Sequence, residues 1–235
     1  MSAALPELPA PGPLVALAGA ADATSVAVLL DDTLHHRYRE GVAQHSLHLL
    51  PLLDDLLRDL GLGRRDLRAV AFARGPGPFT AGRIVVATAQ GLGLGLHLPL
   101  LSVSSLAAAA WASGRERAAV ALEAGQGEVY WGLYQRGARG VDPVGEERAL
   151  APEAAELPAG ESPWWGVGSG WRAHYDVLSR RCGHALAGTD AEIPVRADAV
   201  AALAVEPWHA GRVLAPAEAV PTYLRASYAE APSRP

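Results

Sequence analysis

Apolar positions crowd or alternate in three short stretches at the start of the chain. Residues 14–18 and 25–30 read as buried strands separated by a small-residue turn over 19–24. Residues 33–39 read as a third strand behind the hairpin-like break Asp31-Asp32. The period then changes. Over 44–60, Leu49, Leu53, Leu56 and Leu60 fall on one stripe at helical spacing, and Leu47, Leu50, Leu52 and Leu57 widen it. A helix apolar around most of its circumference is buried on more than one side. Pro51 marks a kink or a later start of the regular helix, and Gly61 suits the position just past its end.

A second unit follows at once. Residues 67–72 form an apolar run of strand length, and Gly75, Pro76, Gly77 and Pro78 then break regular structure. Thr80 stands where a helix N-cap belongs, and about seventeen residues of helix follow, roughly 25 Å at 1.5 Å per residue. Gly75, Gly77 and Thr80 would set the loop that positions this helix. Strand, glycine-rich turn and helix N-terminus together make an anion cradle, although a tight turn needs Gly and Pro whether or not anything binds there. Gly82, Gly91, Gly93 and Gly95 each cost about 1 kcal/mol against Ala inside a helix. Ala87, Gly91 and Gly95 lie at i, i+4 and i+8, a smooth stripe for close approach of another element; a helix ending near Gly91 would shorten it. Two neighbouring helices thus have spare packing surface, which serves either a protein–protein interface or an internal core.

Farther on, 100–103 reads as a strand and 104–112 as a helix, and a second lobe begins near 113. Strands are expected at 118–123 and 129–134 around the turn 124–127. Residues 140–161 look loop-like with a short helix at 153–157; 164–167 is a strand candidate, and 171–181 and 198–206 are helices. Residues 207–216 break the pattern, and 220–224 form a last strand or an extended arm. Both lobes open with antiparallel strands followed by helices, pointing to a duplicated α/β unit. The expected organisation is a disordered lead-in over 1–13, a first lobe over 14–112 carrying the partner-binding helices, and a second over 113–235 with a C-terminal arm.

Composition narrows the function. Hydrophobic residues make up 50% and charged residues 19%, enough for a sizeable core. A formal net charge of −5 gives no basic footprint for binding nucleic acid alone. No apolar run approaches the roughly eighteen residues needed to cross a bilayer. The stretch 14–21 resembles a signal-peptide core, but the only charge before it is Glu7, so it reads as a strand. The single Cys182 and the absence of a signal point to the cytoplasm. All 20 basic residues are Arg, which removes Schiff-base chemistry, a Walker-type lysine and a Ser–Lys dyad.

Candidate chemistry is thin. His35, His36, His45 and His48 lack the ligand array of a metal site. Glu123 and Glu128 bracket a turn, where solvation is the default. In GVGSG, Val167 occupies the position where the G-x-S-x-G of a nucleophile elbow needs Gly, so 166–170 is a turn. Arg180 and Arg181 could lower the pKa of Cys182, but a lone thiol is no site. No catalytic residue, metal or cofactor is expected.

Several blocks in order resemble the TsaB family (YeaZ-like). QHSLHLLPLLDDLL at 44–57 is similar to its HS-x-x-LLP helix; 75–110, opening GPGPFTAGR, to its GPGSFTGLR segment and the continuation into V-S-S-L; GEVYWGLY at 127–134 to its GEVY strand; and PTYLR at 221–225 to its P-x-Y-x-R ending. The resemblance implies a two-lobed α/β fold of the actin-like ATPase (ASKHA) class, each lobe a mixed β-sheet with helices. It also implies a non-catalytic subunit for tRNA threonylcarbamoyladenosine formation that pairs with the catalytic subunit TsaD through the two helices after the opening hairpin. A TsaE-like ATPase completes the assembly, and tRNA is met only through the complex. Leu49, Leu50, Leu53, Leu57, Arg83, Val86, Ala87, Gln90 and Leu94 are the expected partner face. Four departures bear on ligands: the family's D-T-S signature falls on Ala18-Gly19-Ala20, Pro78 replaces Ser, Ala81-Gly82 replace Gly-Leu, and Glu123 stands where the family more often has Asp. Losing the signature's Asp and both hydroxyls counts against ATP binding by this chain itself. The alternatives are a stand-alone phosphotransferase or metal-dependent glycopeptidase-like enzyme of the same fold, and a homodimer using the same helices.

Overall fold

Period-two alternation sets the layers of the first lobe. A computed structural model describes residues 12–20, 23–41, 45–158, 160 and 162–225; residues 1–11 of the lead-in expected over 1–13, and the end of the chain beyond 225, lie outside the described residues. In β1 (Leu14–Gly19), Leu14, Ala16 and Ala18 face one core while Val15 and Leu17 face another. β2 (Thr24–Leu30) and β4 (Ala69–Ala73) alternate in the same sense. With β3 (Thr33–Arg39) and β5 (Leu100–Val103) they form a sheet of order β3-β2-β1-β4-β5. β1, β2 and β3 are antiparallel, and β4 and β5 run parallel to β1. Asp31 and Asp32, with φ of 46° and 63°, make the tight hairpin between β2 and β3.

The second sheet repeats that order. β6 (Arg117–Gly125), β7 (Glu128–Gly137) and β8 (Gly140–Pro143) are antiparallel, and β10 (Trp164–Val167) and β11 (Leu186–Asp190) continue parallel to β6. The order is β8-β7-β6-β10-β11, with the short β9 (Arg148–Leu150) added on β7. The duplicated unit is therefore real, and the two lobes share one topology.

Helices fill the spaces between and outside the sheets. α1 (His45–Asp59) packs on β2 and β3, and α2 (Phe79–Leu96) on β4 and β1, so both cover the outer face of the first sheet. α3 (Ser105–Ser113) lies on β6 and β7, and α6 (Ala197–His209) on the inner face of the first sheet; the two helices touch between the sheets. The strands thus separate near residue 113 while these helices cross over. Ala16, Ala18, Ala27, Ala69 and Ala71 on the sheet meet Ala201, Ala202 and Ala204 on α6, small residues on both sides of a close contact. α4 (Ser169–Ala173) and α5 (Tyr175–Cys182) cover the far side of the second sheet, where Trp171 is fully buried and donates its indole N–H to the Ala119 carbonyl at 2.8 Å.

Several expectations need correction. Thr80 is not the N-cap: α2 starts at Phe79, Pro78 holds the cap position without a side-chain bond, and Thr80 is exposed in the first turn. The helix does not end at Gly91 but runs on to Leu96, closing with His97 in the left-handed region (φ 57°). α1 continues through Pro51. Residues 153–157 are not a helix; a single 3₁₀ turn, Pro152–Ala154, follows β9. The helix expected over 171–181 is broken at His174 into α4 and α5, and β8, β9 and β11 were not anticipated. Residues 220–224 are extended and belong to no strand. Among the described residues, no helix is long and apolar enough to cross a membrane.

Candidate docking face and interlobe cleft

The inner side of the two outer helices is spent on the core. Leu49, Leu53, Leu57 and Val86 are buried against the first sheet, so four residues expected on a partner face are instead what seats α1 and α2. Burying each leucine is worth about 1.5–3 kcal/mol. Leu50 is half-buried beside that core. Arg83, Ala87 and Leu94 point outward on α2, with Leu94 63% exposed, and Gln90 is half-buried with its side-chain amide donating to the Ala219 carbonyl at 2.9 Å.

The glycines of α2 divide by use. A Cβ on Gly93 would come within 2.9 Å of Leu100 and 3.0 Å of Pro216, so this glycine is required by packing within the chain. Gly82, Gly91 and Gly95 would meet nothing within 4 Å. Gly91 and Gly95 flank Leu94 on the exposed side, and among the described residues no intramolecular contact explains their cost to the helix. Leu47 of α1 is 61% exposed and Phe79 at the start of α2 57%. The outward surface is thus smooth in its middle and apolar at its margins.

The loop into α2 is held from both lobes. Gly75 has φ of 96°, and a Cβ there would press to 3.1 Å from the Thr222 carbonyl, so its role in the loop is both conformational and steric. Gly77 meets nothing and borders the cleft. Arg74 lies 3.8 Å from Glu147, whose carboxylate also accepts the hydroxyl protons of Ser104 and Tyr134. Burial and the nearby Glu147 charge push the Tyr134 phenol well above its ordinary pKa, so it stays a donor. This knot ties the first lobe (Arg74, Ser104) to the second (Tyr134, Glu147).

Between the lobes lies a cleft of about 1310 Å³, bounded by Gly19, Gly77, Arg83, Glu123, Ser169 and Arg225 among others. Its arginines are engaged: Arg172 with Glu192 at 3.1 Å, Arg196 with Asp198 at 2.6 Å and Arg225 with Glu128 at 2.8 Å. Ser169 accepts the Glu123 amide and sits beside Gly168 and Gly170, which the Ala121 backbone crowds, so GVGSG is a packing turn. Cys182 is buried, which pushes its thiol up to about 11 against the weaker pull of Arg181; the neighbouring arginines do not activate it. His48 lies 3.4 Å from Arg39, and the side chain of His45 is outside the described residues. Among the described residues, no three His, Cys, Asp or Glu are grouped to hold a metal. Phe79, Tyr223, Val220 and Leu47 were missed as surface residues; the only signal was the apolar excess of α1 and the extended character of 220–224.

Two sheets of one strand order facing each other across a cleft, with α3 and α6 between them, define a two-lobed α/β protein of the actin-like class. Residues 25–182 match the family model described as TsaD: tRNA N6-adenosine threonylcarbamoyltransferase. The chain is 35% identical over 219 residues to the tRNA threonylcarbamoyladenosine biosynthesis protein TsaB of Escherichia coli, covering 90% of this chain and 94% of that one. The protein of the same name from Haemophilus influenzae is 30% identical over 194 residues, 77% of this chain and 80% of that one. The solved structure of YeaZ from Pseudomonas aeruginosa superposes with a TM-score of 0.84 at 34% identity, covering 91% of this chain and all of that one. The chain belongs to the TsaB family.

Proposed function

We propose that this chain is a non-catalytic, cytoplasmic subunit in tRNA threonylcarbamoyladenosine biosynthesis, and that it docks a TsaD-like catalytic subunit on the outer face of α1 and α2 and stabilises that subunit's active arrangement. The tRNA, the ATP-dependent chemistry and a TsaE-like ATPase belong to the assembled complex. The observation that carries the reading is the surface of α2: Gly91 and Gly95 are exposed where no contact among the described residues needs them, around a 63% exposed Leu94. Glycine at such positions lets the backbone of a partner helix approach closely, below the usual 8–10 Å between axes. Family membership supports a role in this pathway, and the names of the relatives give the product. The pairing of Arg172, Arg196 and Arg225 in the cleft with carboxylates, and Ala18-Gly19-Ala20 at the end of β1 with neither Asp nor hydroxyl, support placing the chemistry on the partner.

The test is co-expression with the TsaD-like protein of the same organism, followed by the mass of the purified complex. A one-to-one complex is expected, and Ala87→Arg, which puts a long cation in the middle of the outer face, is expected to abolish it while leaving the chain folded. A chain that ignores that protein and turns over ATP alone would overturn the reading in favour of an enzyme. A mass of two copies, unchanged by adding the TsaD-like protein, would assign the face to self-association.

A further inference from the structure

One side of the α2 surface is bordered by backbone that belongs to neither sheet. After α6 the chain returns to the first lobe, where Leu214 pairs with Leu100, and then runs along α2 from its C-terminal end toward its N-terminal end. Pro216 lies against Gly93, the Ala219 carbonyl accepts from Gln90, and the Thr222 amide donates to the Arg74 carbonyl at 2.7 Å. At the N-terminal end of α2, Tyr223 and Phe79 stack with ring centroids 5.7 Å apart. Arg83 packs on the Phe79 ring at 3.6 Å and donates its Nε–H to the Tyr223 hydroxyl at 2.9 Å. Arg225 then reaches the second lobe, donating to the Ala124 carbonyl at 3.1 Å and pairing with Glu128.

We infer that this C-terminal strap is itself part of the docking surface: Val220 and Tyr223, with Phe79 and Arg83, form an edge that the TsaD-like subunit contacts together with the helix face. The inference rests on the docking function proposed above. Three observations carry it. Of the seven large hydrophobic residues exposed among those described, five (Leu47, Phe79, Leu94, Val220 and Tyr223) lie on α1, α2 or the strap. The strap is continuous with the α2 face through Gln90 and Arg83, so a partner seated on Ala87 and Leu94 has this edge beside it. Finally, an aromatic–arginine–aromatic cluster is the composition of interface hot spots, and here it is held in place beforehand by hydrogen bonds, ring contacts and the Arg225 anchor in the other lobe. Exposed aromatic rings fixed in one arrangement lose little side-chain freedom when a partner covers them.

The experiment measures the dissociation constant of the complex with the TsaD-like protein by calorimetry for the full chain and for Val220→Asp, Tyr223→Ala and Arg225→Ala, with Ala87→Arg as the reference. Val220→Asp and Tyr223→Ala are expected to weaken binding about tenfold or more, the range of hot-spot truncations. Val220→Asp removes none of the strap's anchors, so its effect reports contact and not detachment. Arg225→Ala is expected to weaken binding less and to raise amide exchange over 219–223 in the isolated chain. If Ala87→Arg abolishes binding while Val220→Asp and Tyr223→Ala stay within about twofold of wild type, the strap is outside the interface and this inference falls, with the docking reading intact. If Ala87→Arg also binds like wild type, the docking reading fails and the strap with it. Loss of self-association alone, with the heteromeric constant unchanged, would likewise overturn the inference.

Discussion

The two lobes share a strand order but are finished differently on the outside. The first is covered by α1 and α2, 15 and 18 residues long, which leave Leu47, Phe79 and Leu94 in solvent. The second is covered by α4 and α5, of 5 and 8 residues, whose outward side chains include Arg172 and Arg181 in surface ion pairs with Glu192 and Glu156, and one exposed aromatic, Tyr175. Both inner faces obey the same rule: Leu53 under α1 and Trp171 under α4 are fully buried. The outer faces do not. Surface ion pairs do not separate them, since α1 has its own through Asp54, Asp55 and Asp59; the exposed glycines and leucine of the long α2 do, because they carry a cost that a monomer does not recover. The duplication therefore acts as an internal control for the docking surface proposed on the outside of the first lobe.

Mutations on opposite sides of α1 should separate folding from pairing most strongly. Leu53→Ala empties a site under the helix and is expected to cost about 2–5 kcal/mol of unfolding free energy, read by denaturant titration. Any loss of pairing in that variant should track the fraction unfolded. Leu47→Ser, six residues earlier on the exposed side, is expected to shift stability by no more than about 0.5 kcal/mol. It should still weaken the complex. If the two variants destabilised the isolated chain equally, the distinction between an inner and an outer face of α1 would be wrong.

A smaller effect with opposite signs is expected at Gly91. Its Cβ direction is open, so Gly91→Ala should stabilise the isolated chain by about 1 kcal/mol through helix propensity alone. For a chain of this size that raises the melting temperature by about 2–4 °C. The same methyl group stands in the path of a closely packed partner helix, so the complex should weaken. A rise in both melting temperature and dissociation constant is the signature of a glycine kept for a partner. At Gly93 the same change should only destabilise, because Leu100 and Pro216 already fill that space.

How much of this was legible beforehand follows from where each signal resides. The alternation in β1 and β4 and the helical stripe of α1 are local, so the layers and the duplicated plan could be read from the chain. The side of α1 and α2 that meets the sheet could not. Leu49 and Leu47 are the same residue, and only the position of the sheet decides that one is buried and the other exposed. Thr80 looked like a cap because the rule scores side-chain oxygens, but Pro78, with φ of −58°, begins the helix and its carbonyl accepts the Gly82 amide at 3.0 Å. β8, β9 and β11 are short and mostly polar or small (GVDP, RAL, LAGTD), strands made by ladder pairing and not by hydrophobic pattern. The Phe79–Arg83–Tyr223 cluster joins residues up to 144 positions apart, and no local pattern announces such a contact.

The smallest expected effect is the one that bears hardest on the contrast between lobes. Arg180 is exposed in the last turn of α5, on the outer layer of the second lobe. Reversing its charge in Arg180→Glu leaves the buried Leu178 and Cys182 untouched. It places a negative charge at the C-terminal end of a short helix, where the dipole disfavours it by about 0.3–1 kcal/mol at most. Stability should therefore fall by no more than that, and the dissociation constant of the complex should stay within about twofold of wild type, since a charge off the interface alters neither contact nor desolvation. A tenfold loss of pairing here would mean that the partner also covers the second lobe. The surface of α4 and α5 would then have to be read as an interface of a different kind, and the exposed glycines and leucine of α2 would no longer distinguish the two halves of the molecule.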